Sequence, residues 1–470
     1  MNKRLITFLP ILTLLLAACS SSGNTAASEE TSAASSPTTA ADQKFQAEGC
    51  HAKVSAFLQM KDGGTWTDVI AAQGWEAAAS CPATNPYAPW AMANISIGTV
   101  IRWHIYSPGE WDFYTTESEV QEVFDPNSFA PVTAQAEIES SDYAHVAALA
   151  RASILADQPK APTTQKITFQ FESGVPIENQ NMIKEGANNF LSHFGNILSY
   201  SSEAINFIVY SSNAGASELA KDFDPSDSYF LEDLASSVKA QGNRNRNSTD
   251  GMGGFSMGYK RVVVIGSSYF KSSDLNLPTF DGDPVVATHE LAHELQASIN
   301  KGSVMSNPIW LCEGGAQVIG AAMSVYQGKD YWAIGGRDQW SNRIPANRTI
   351  ADLKTMEGED PRWHEYTAGA ALSEYLIAWG GFNNSLLVSN ISYKLQNPDE
   401  MSGFRQAFEI VYGQSLDDFY VHALPYVNYV SANWKTSLAT SPEATAFITD
   451  RLAAIKAAEI ITGATKIATE

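Results

Sequence analysis

The sequence predicts an α+β fold, a smaller β-rich segment ahead of a larger domain in which strands and helices alternate before helices take over. Three observations carry this. The runs KITFQFE (166–172), AINFIVYSS (204–212) and KRVVVIGSS (260–268) are short, rich in β-branched residues and bounded by turn formers, as buried strands are. Longer stretches with helical spacing, Asn179–Ser199 and Tyr229–Gln241, separate these strands, and helical patterns fill the chain beyond residue 283. With 470 residues and 44% hydrophobic content, the chain can bury the cores of two or three domains.

At the amino terminus, Lys3 and Arg4 precede an apolar run from Leu5 to Leu16. That run is too short for a lasting transmembrane helix and suits the core of a signal peptide. It ends in Leu16-Ala17-Ala18-Cys19, which resembles the lipobox of bacterial lipoproteins. The resemblance implies that residues 1–18 are a signal peptide and that Cys19 is acylated as the first mature residue. It also implies an exported protein anchored by lipid to the cell envelope, at an outer membrane or the outer face of the cytoplasmic membrane. Residues 19–44 are nearly all Ser, Ala and Thr with a few acids and prolines, a composition that cannot offset ordering entropy and reads as a flexible linker.

The formal net charge of −21 leaves no basic surface for counterion release, which excludes nucleic acid as a partner. Among the four cysteines, Cys50 and Cys81 are expected to pair in an oxidising compartment. Closing the loop between them contributes about 3–4 kcal/mol where geometry permits. Cys312 is left over.

Residues 45–160 read as an accessory domain. A helical-looking stretch over Thr67–Ala79 precedes strand-like segments at Ala93–Tyr106 and Glu110–Thr115, and a helical segment over Ser141–Ala156 closes the region. Its tryptophans (Trp66, Trp75, Trp90, Trp103, Trp111) suit either a carbohydrate platform or, more simply, a modest β-rich core.

The chemistry lies in residues 161–430. Asp283-Pro284 is a helix start, with Asp as cap and Pro at the first position. The helix carries His289-Glu290-Leu291-Ala292-His293. Four residues make a little over one turn, so both imidazoles leave the same face at a separation that one Zn²⁺ can bridge. Glu290 points toward the side where an attacking water would sit. Two histidines alone do not make a zinc site, and the spacing demands a third ligand. Glu313 supplies it, separated from His293 by nineteen residues, on a second helix-like segment that reads NPIWLCEGGAQVIGAAM. Gly314, Gly315, Ala316 and Gly320 let that segment approach the first helix closely. Cys312 then becomes a buried neighbour of a ligand.

HExxH followed at this distance by Trp310-Leu311-Cys312-Glu313-Gly314 resembles the gluzincin zinc metallopeptidases of the peptidase MA-like type. The resemblance extends to Tyr366-Thr367-Ala368-Gly369 and to the pattern within 403–427, and so covers roughly 165–430. It implies a zincin-like catalytic domain, with a mixed sheet, an active-site helix and a helical C-terminal subdomain. It also implies Zn²⁺ held by His289, His293 and Glu313, Glu290 as catalytic base, and Tyr366 as hydrogen-bond donor to the oxyanion. Where thermolysin-like members place an Asp to orient a ligand histidine, this chain has Gln317. The implied activity is hydrolysis of peptide bonds in a peptide or protein substrate, extended along the strand Lys260–Ser268, with the Gly/Asn-rich loop 242–258 bordering the cleft. The rival expectation is a non-catalytic surface lipoprotein that binds protein or carbohydrate. Residues 431–470 are expected to form a helical tail.

Overall fold

The computed structural model describes residues 54–74, 98–119, 137–156, 165–198, 204–223, 230–238, 254–257, 261–266, 282–299, 307–330, 343–358, 364–395, 400–433 and 442–462, breaks of one to three residues aside. The expected signal peptide, Cys19, the linker, Cys50 and Cys81 lie outside these residues, as do Trp90 and most of the loop 242–258. The described chain is a mixed α and β structure.

An antiparallel sheet comes first. Its strands are β1 (Val54–Asp62), β2 (Thr65–Gly74), β3 (Val100–Ser107), β4 (Trp111–Tyr114) and β5 (Ser118–Glu119), in the order β2-β1-β3-β4 with β5 also on β3. Strand β2 corrects the sequence expectation of a helix over Thr67–Ala79. Strands β1 and β2 pair out to Asp62 opposite Thr65, and Gly64 just before Thr65 sits at φ 89°, which glycine adopts without strain. Cross-strand pairing overrides local helical spacing. On one face the Arg102 guanidinium lies 4.1 Å from the Trp66 ring and 4.0 Å from that of Tyr114. Trp66 therefore stacks on a cation of its own sheet.

A second sheet runs β6-β7-β9-β8, comprising β6 (Ile167–Phe171), β7 (Ile205–Tyr210), β8 (Gly254–Met257) and β9 (Val262–Gly266). Strands β6, β7 and β9 are parallel, while β8 is antiparallel to β9 and forms an edge. Alternate side chains serve two cores, as a pleated strand requires. Phe207, Val209, Val263 and Ile265 enter the main core. Ile208, Tyr210, Val262 and Val264 enter a smaller one with Phe230, Leu234 and helix α3 (Asn213–Phe223). Burial on both faces explains why KRVVVIGSS is an unbroken apolar run rather than an alternating one.

The main core is helical. It contains α1 (Tyr143–Leu155), α2 (Ile177–Leu198), α4 (Gly282–Ile299), α5 (Ile309–Met323), α7 (Ala368–Gly380), α8 (Phe382–Leu395), α9 (Glu400–Tyr412) and α10 (Leu416–Ala432). The short α6 (Ile350–Thr355) is closed by a Thr349–Asp352 capping box. Helix α1, expected within the accessory segment, belongs here: Val146, Leu149 and Ile154 are fully buried, and Ser153 Oγ accepts the Phe382 N–H at 2.9 Å. Helix α11 (Pro442–Thr462), in the expected tail, lays Phe447, Ile448 and Leu452 against this core.

Candidate metal centre

Helices α4 and α5 bring together the three residues expected as ligands. His289 Nε2 and His293 Nε2 lie 3.1 Å apart, and each is 3.4 Å from Glu313 Oε2. All three residues are buried. Donor atoms bound at about 2.0–2.1 Å around a tetrahedral ion stand about 3.3–3.4 Å from one another, so this spacing fits a single metal ion. The group can hold a metal.

Small residues set the helix spacing. A Cβ on Gly320 would lie 2.7 Å from the His289 backbone nitrogen, so only glycine lets α5 reach α4 at the first ligand. Thr288 Oγ1 donates to the Gly320 carbonyl at 2.7 Å and meets Ser324 Oγ at 2.8 Å, locking the same crossing. The other glycines do not all face α4, as the sequence suggested. Gly315 faces the Gln296 amide, whereas Gly314 packs on the backbone of Gly369 in α7. Trp310 anchors the start of α5. Its ring stacks on Phe419, and its Nε1 donates to Tyr420 Oη at 3.0 Å. The aromatic pattern in 403–427 is thus the socket for the tryptophan that precedes the Glu ligand.

Glu290 is 3% exposed, and among the described residues its Oε2 has no hydrogen-bond partner. A buried carboxylate oxygen left this way calls for a partner such as a water or a substrate proton. Gly254 of β8 packs closely here, since a Cβ on it would come within 2.9 Å of Glu290 Oε1. One turn further along α4, Glu294 is engaged: Ser256 Oγ donates to it at 2.6 Å, and Arg261 Nε stands 3.7 Å away. Arg261 also donates to Gln165 Oε1 and to the Leu198 carbonyl, so this buried cation ties the sheet and α2 to the ligand helix. The strand beside the site is therefore β8. Strand β9, within the Lys260–Ser268 segment expected to pair with substrate, has β7 on one side and β8 on the other, so neither of its edges is open.

Tyr366 reaches the site just ahead of α7. Its ring stacks 6.2 Å from that of His289, and the nearby Glu313 carboxylate adds to burial in raising its pKa. Gln317 is half-buried, and among the described residues no hydrogen bond joins it to either imidazole. The partner of His293 Nδ1 is Gln296 Oε1, at 3.0 Å. Cys312 is buried with its Sγ 3.9 Å from His293 Nδ1.

Burial and mutual charge set the protonation states. Burial works against the His293 imidazolium, but Glu313 beside it and then Glu290 outweigh this and raise its pKa to about 9. Burial alone would raise the Glu313 pKa, yet the two imidazoles bring it down to about 2. Glu290 moves the other way, raised by burial despite His289 and His293 and helped by Glu313 and Glu294. Tyr366 is held protonated by burial and by Glu313. Such a site offers a cation-binding donor set, a carboxylate with raised proton affinity and a phenolic donor, all out of bulk water. No family model matches the chain, and comparison with curated proteins and with solved structures found no significant match.

Proposed function

We propose that this chain hydrolyses peptide bonds with a zinc ion held by His289, His293 and Glu313. The observation that carries the reading is the coincidence of a metal-sized donor triangle with a Glu290 oxygen that has no partner among the described residues, on the helix that carries both histidines. Zinc suits two imidazoles and one carboxylate, and when bound there it polarises a carbonyl and acidifies water. Glu290, its proton affinity raised by burial, takes the proton of the attacking water and returns it to the leaving amine. Tyr366 keeps its proton and offers the O–H to the oxygen on which charge develops. Strand β8, an edge beside α4, is where an extended peptide would add main-chain hydrogen bonds. Lipid attachment at Cys19 would hold this activity at the envelope surface. Among the described residues no helix is long and apolar enough to cross a membrane.

The test is elemental analysis of the purified chain, with Glu313→Ala as control, followed by chelator-sensitive cleavage of a mixed peptide library. Near-stoichiometric zinc lost in the variant, together with cleavage abolished by chelation and restored by zinc, supports the reading. A folded wild type that takes up no zinc under replete conditions removes it. Intact metal binding without cleavage favours a protein-binding lipoprotein.

A further inference from the structure

We infer that Gln296 is a positioning residue for the metal centre, a single amide that fixes His293 and clamps the ligand helix to the first turn of α5, just ahead of Glu313. The inference rests on the metal reading above. Gln296 is buried on α4, one turn beyond His293. Its Oε1 faces His293 Nδ1 at 3.0 Å, and its Nε2 donates to the carbonyls of Leu311 at 3.1 Å and Cys312 at 3.0 Å.

The chemistry of the amide explains the choice of residue. When Nε2 of His293 serves as a ligand, Nδ1 must carry the proton, and that N–H needs an acceptor to hold the ring in place. A carboxylate would accept it well but would then confront two carbonyl oxygens with no donor to give them. An amide accepts at one end and donates twice at the other. Gln296 thus satisfies one proton of the first helix and two carbonyls of the second, immediately before the third ligand. Gly315 leaves space for the amide: a Cβ there would stand 3.2 Å from Nε2, close enough to shift it by a few tenths of an ångström.

The experiment compares the full chain with Gln296→Met, which keeps the volume and removes every hydrogen bond, and Gln296→Glu, which keeps only the acceptor. Zinc affinity is read by competition with a chromophoric chelator, site geometry by the visible absorption of the cobalt-loaded protein, and folding by circular dichroism and thermal unfolding without metal. The expected result is a loss of zinc affinity of about 10- to 100-fold in the Met variant, with shifted cobalt bands and a folded metal-free protein. The Glu variant is expected to lose affinity as well, because its carboxylate meets the Leu311 and Cys312 carbonyls. Wild-type zinc affinity and an unchanged cobalt spectrum in a folded Gln296→Met overturn the inference. Should that variant not fold, wild-type affinity in Gln296→Glu overturns it instead. A wild type that binds neither zinc nor cobalt removes the metal reading and this inference together, whereas equal binding by all three proteins removes the inference alone.

Discussion

Gly314 and Gly369 touch backbone to backbone where α5 crosses α7, so closely that a Cβ on Gly314 would lie 2.3 Å from the Gly369 carbonyl carbon. Each glycine belongs to a functional pair: Gly314 follows Glu313, and Gly369 lies three residues after Tyr366. Their contact is what brings the phenol onto the carboxylate. Gly314→Ala is therefore expected to force the helices apart and destabilise the fold by about 1–3 kcal/mol. Urea unfolding measures the cost, and unchanged stability would show that the crossing has slack.

Replacing Glu290 by Gln separates binding from chemistry. The amide keeps the shape but cannot take a proton, so peptide cleavage should fall by at least about 100-fold while zinc content stays at the wild-type level. Equal loss of metal and activity would assign Glu290 to the ligand set instead.

Tyr366→Phe removes one donor and leaves the ring stacked on His289. Turnover is expected to drop by about 100- to 1000-fold, with the effect in kcat rather than KM. A variant that cleaves as fast as wild type confines Tyr366 to holding Glu313.

The metal-free site has a definite pH signature. His293, raised from its ordinary 6.5 to about 9, contributes stability in full below about 6.5 and loses it as pH climbs through about 9. Glu313, lowered from 4.5 to about 2, contributes in full above about 4.5 and loses it as pH falls through about 2. Metal needs the neutral imidazole, so zinc must displace the His293 proton at pH 7 and bind more tightly as pH rises toward about 9. Calorimetric titration in buffers of different ionisation enthalpy should register about one proton released. No release would mean that His293 is already neutral.

Gly254→Ala probes the space over the base. The added methyl meets Val286 Cγ1 and Glu290 Oε1, at 2.7 and 2.9 Å, so Glu290 must move. A displaced base on an otherwise intact site costs about 100-fold in turnover with metal retained. Steady-state kinetics beside zinc analysis decides it.

The His289-His293-Glu313 cluster was legible in the sequence because its signal is local. HExxH sets two imidazoles on one helical face, and the small residues around Glu313 announce a close helix contact. Helices α2, α4 and α5 followed from period and composition for the same reason. What escaped depends on tertiary pairing. Strand β2 read as a helix because Thr65–Gly74 has no strict alternation, and its antiparallel pairing with β1 is what makes it a strand. Helix α1 fell on the wrong side of a boundary because a polar, Pro-containing stretch follows it, although its apolar face completes the helical core. The role expected of Gln317 was placed by analogy of spacing. Gln296, with the same chemistry, sits three residues after His293, and a buried polar residue on the ligand helix was the available signal.

The pairing of Gly254 with Glu290 and of Ser256 with Glu294 matches two residues of an extended strand, about 6.7 Å, to four residues of helix, about 6 Å. In the run Gly251-Met252-Gly253-Gly254-Phe255-Ser256-Met257-Gly258, no other placement puts a glycine over the first carboxylate and a serine over the second. A slip of one residue in either direction sets Phe255 on one of the two spots, and a slip of two sets Ser256 or Met252 where only hydrogen fits. The alignment of this strand is thus chosen by two acids on a neighbouring helix as much as by its partner in the sheet. An inserted residue ahead of Gly253 leaves both contacts alone, whereas one inserted between Gly254 and Ser256 breaks at least one of them.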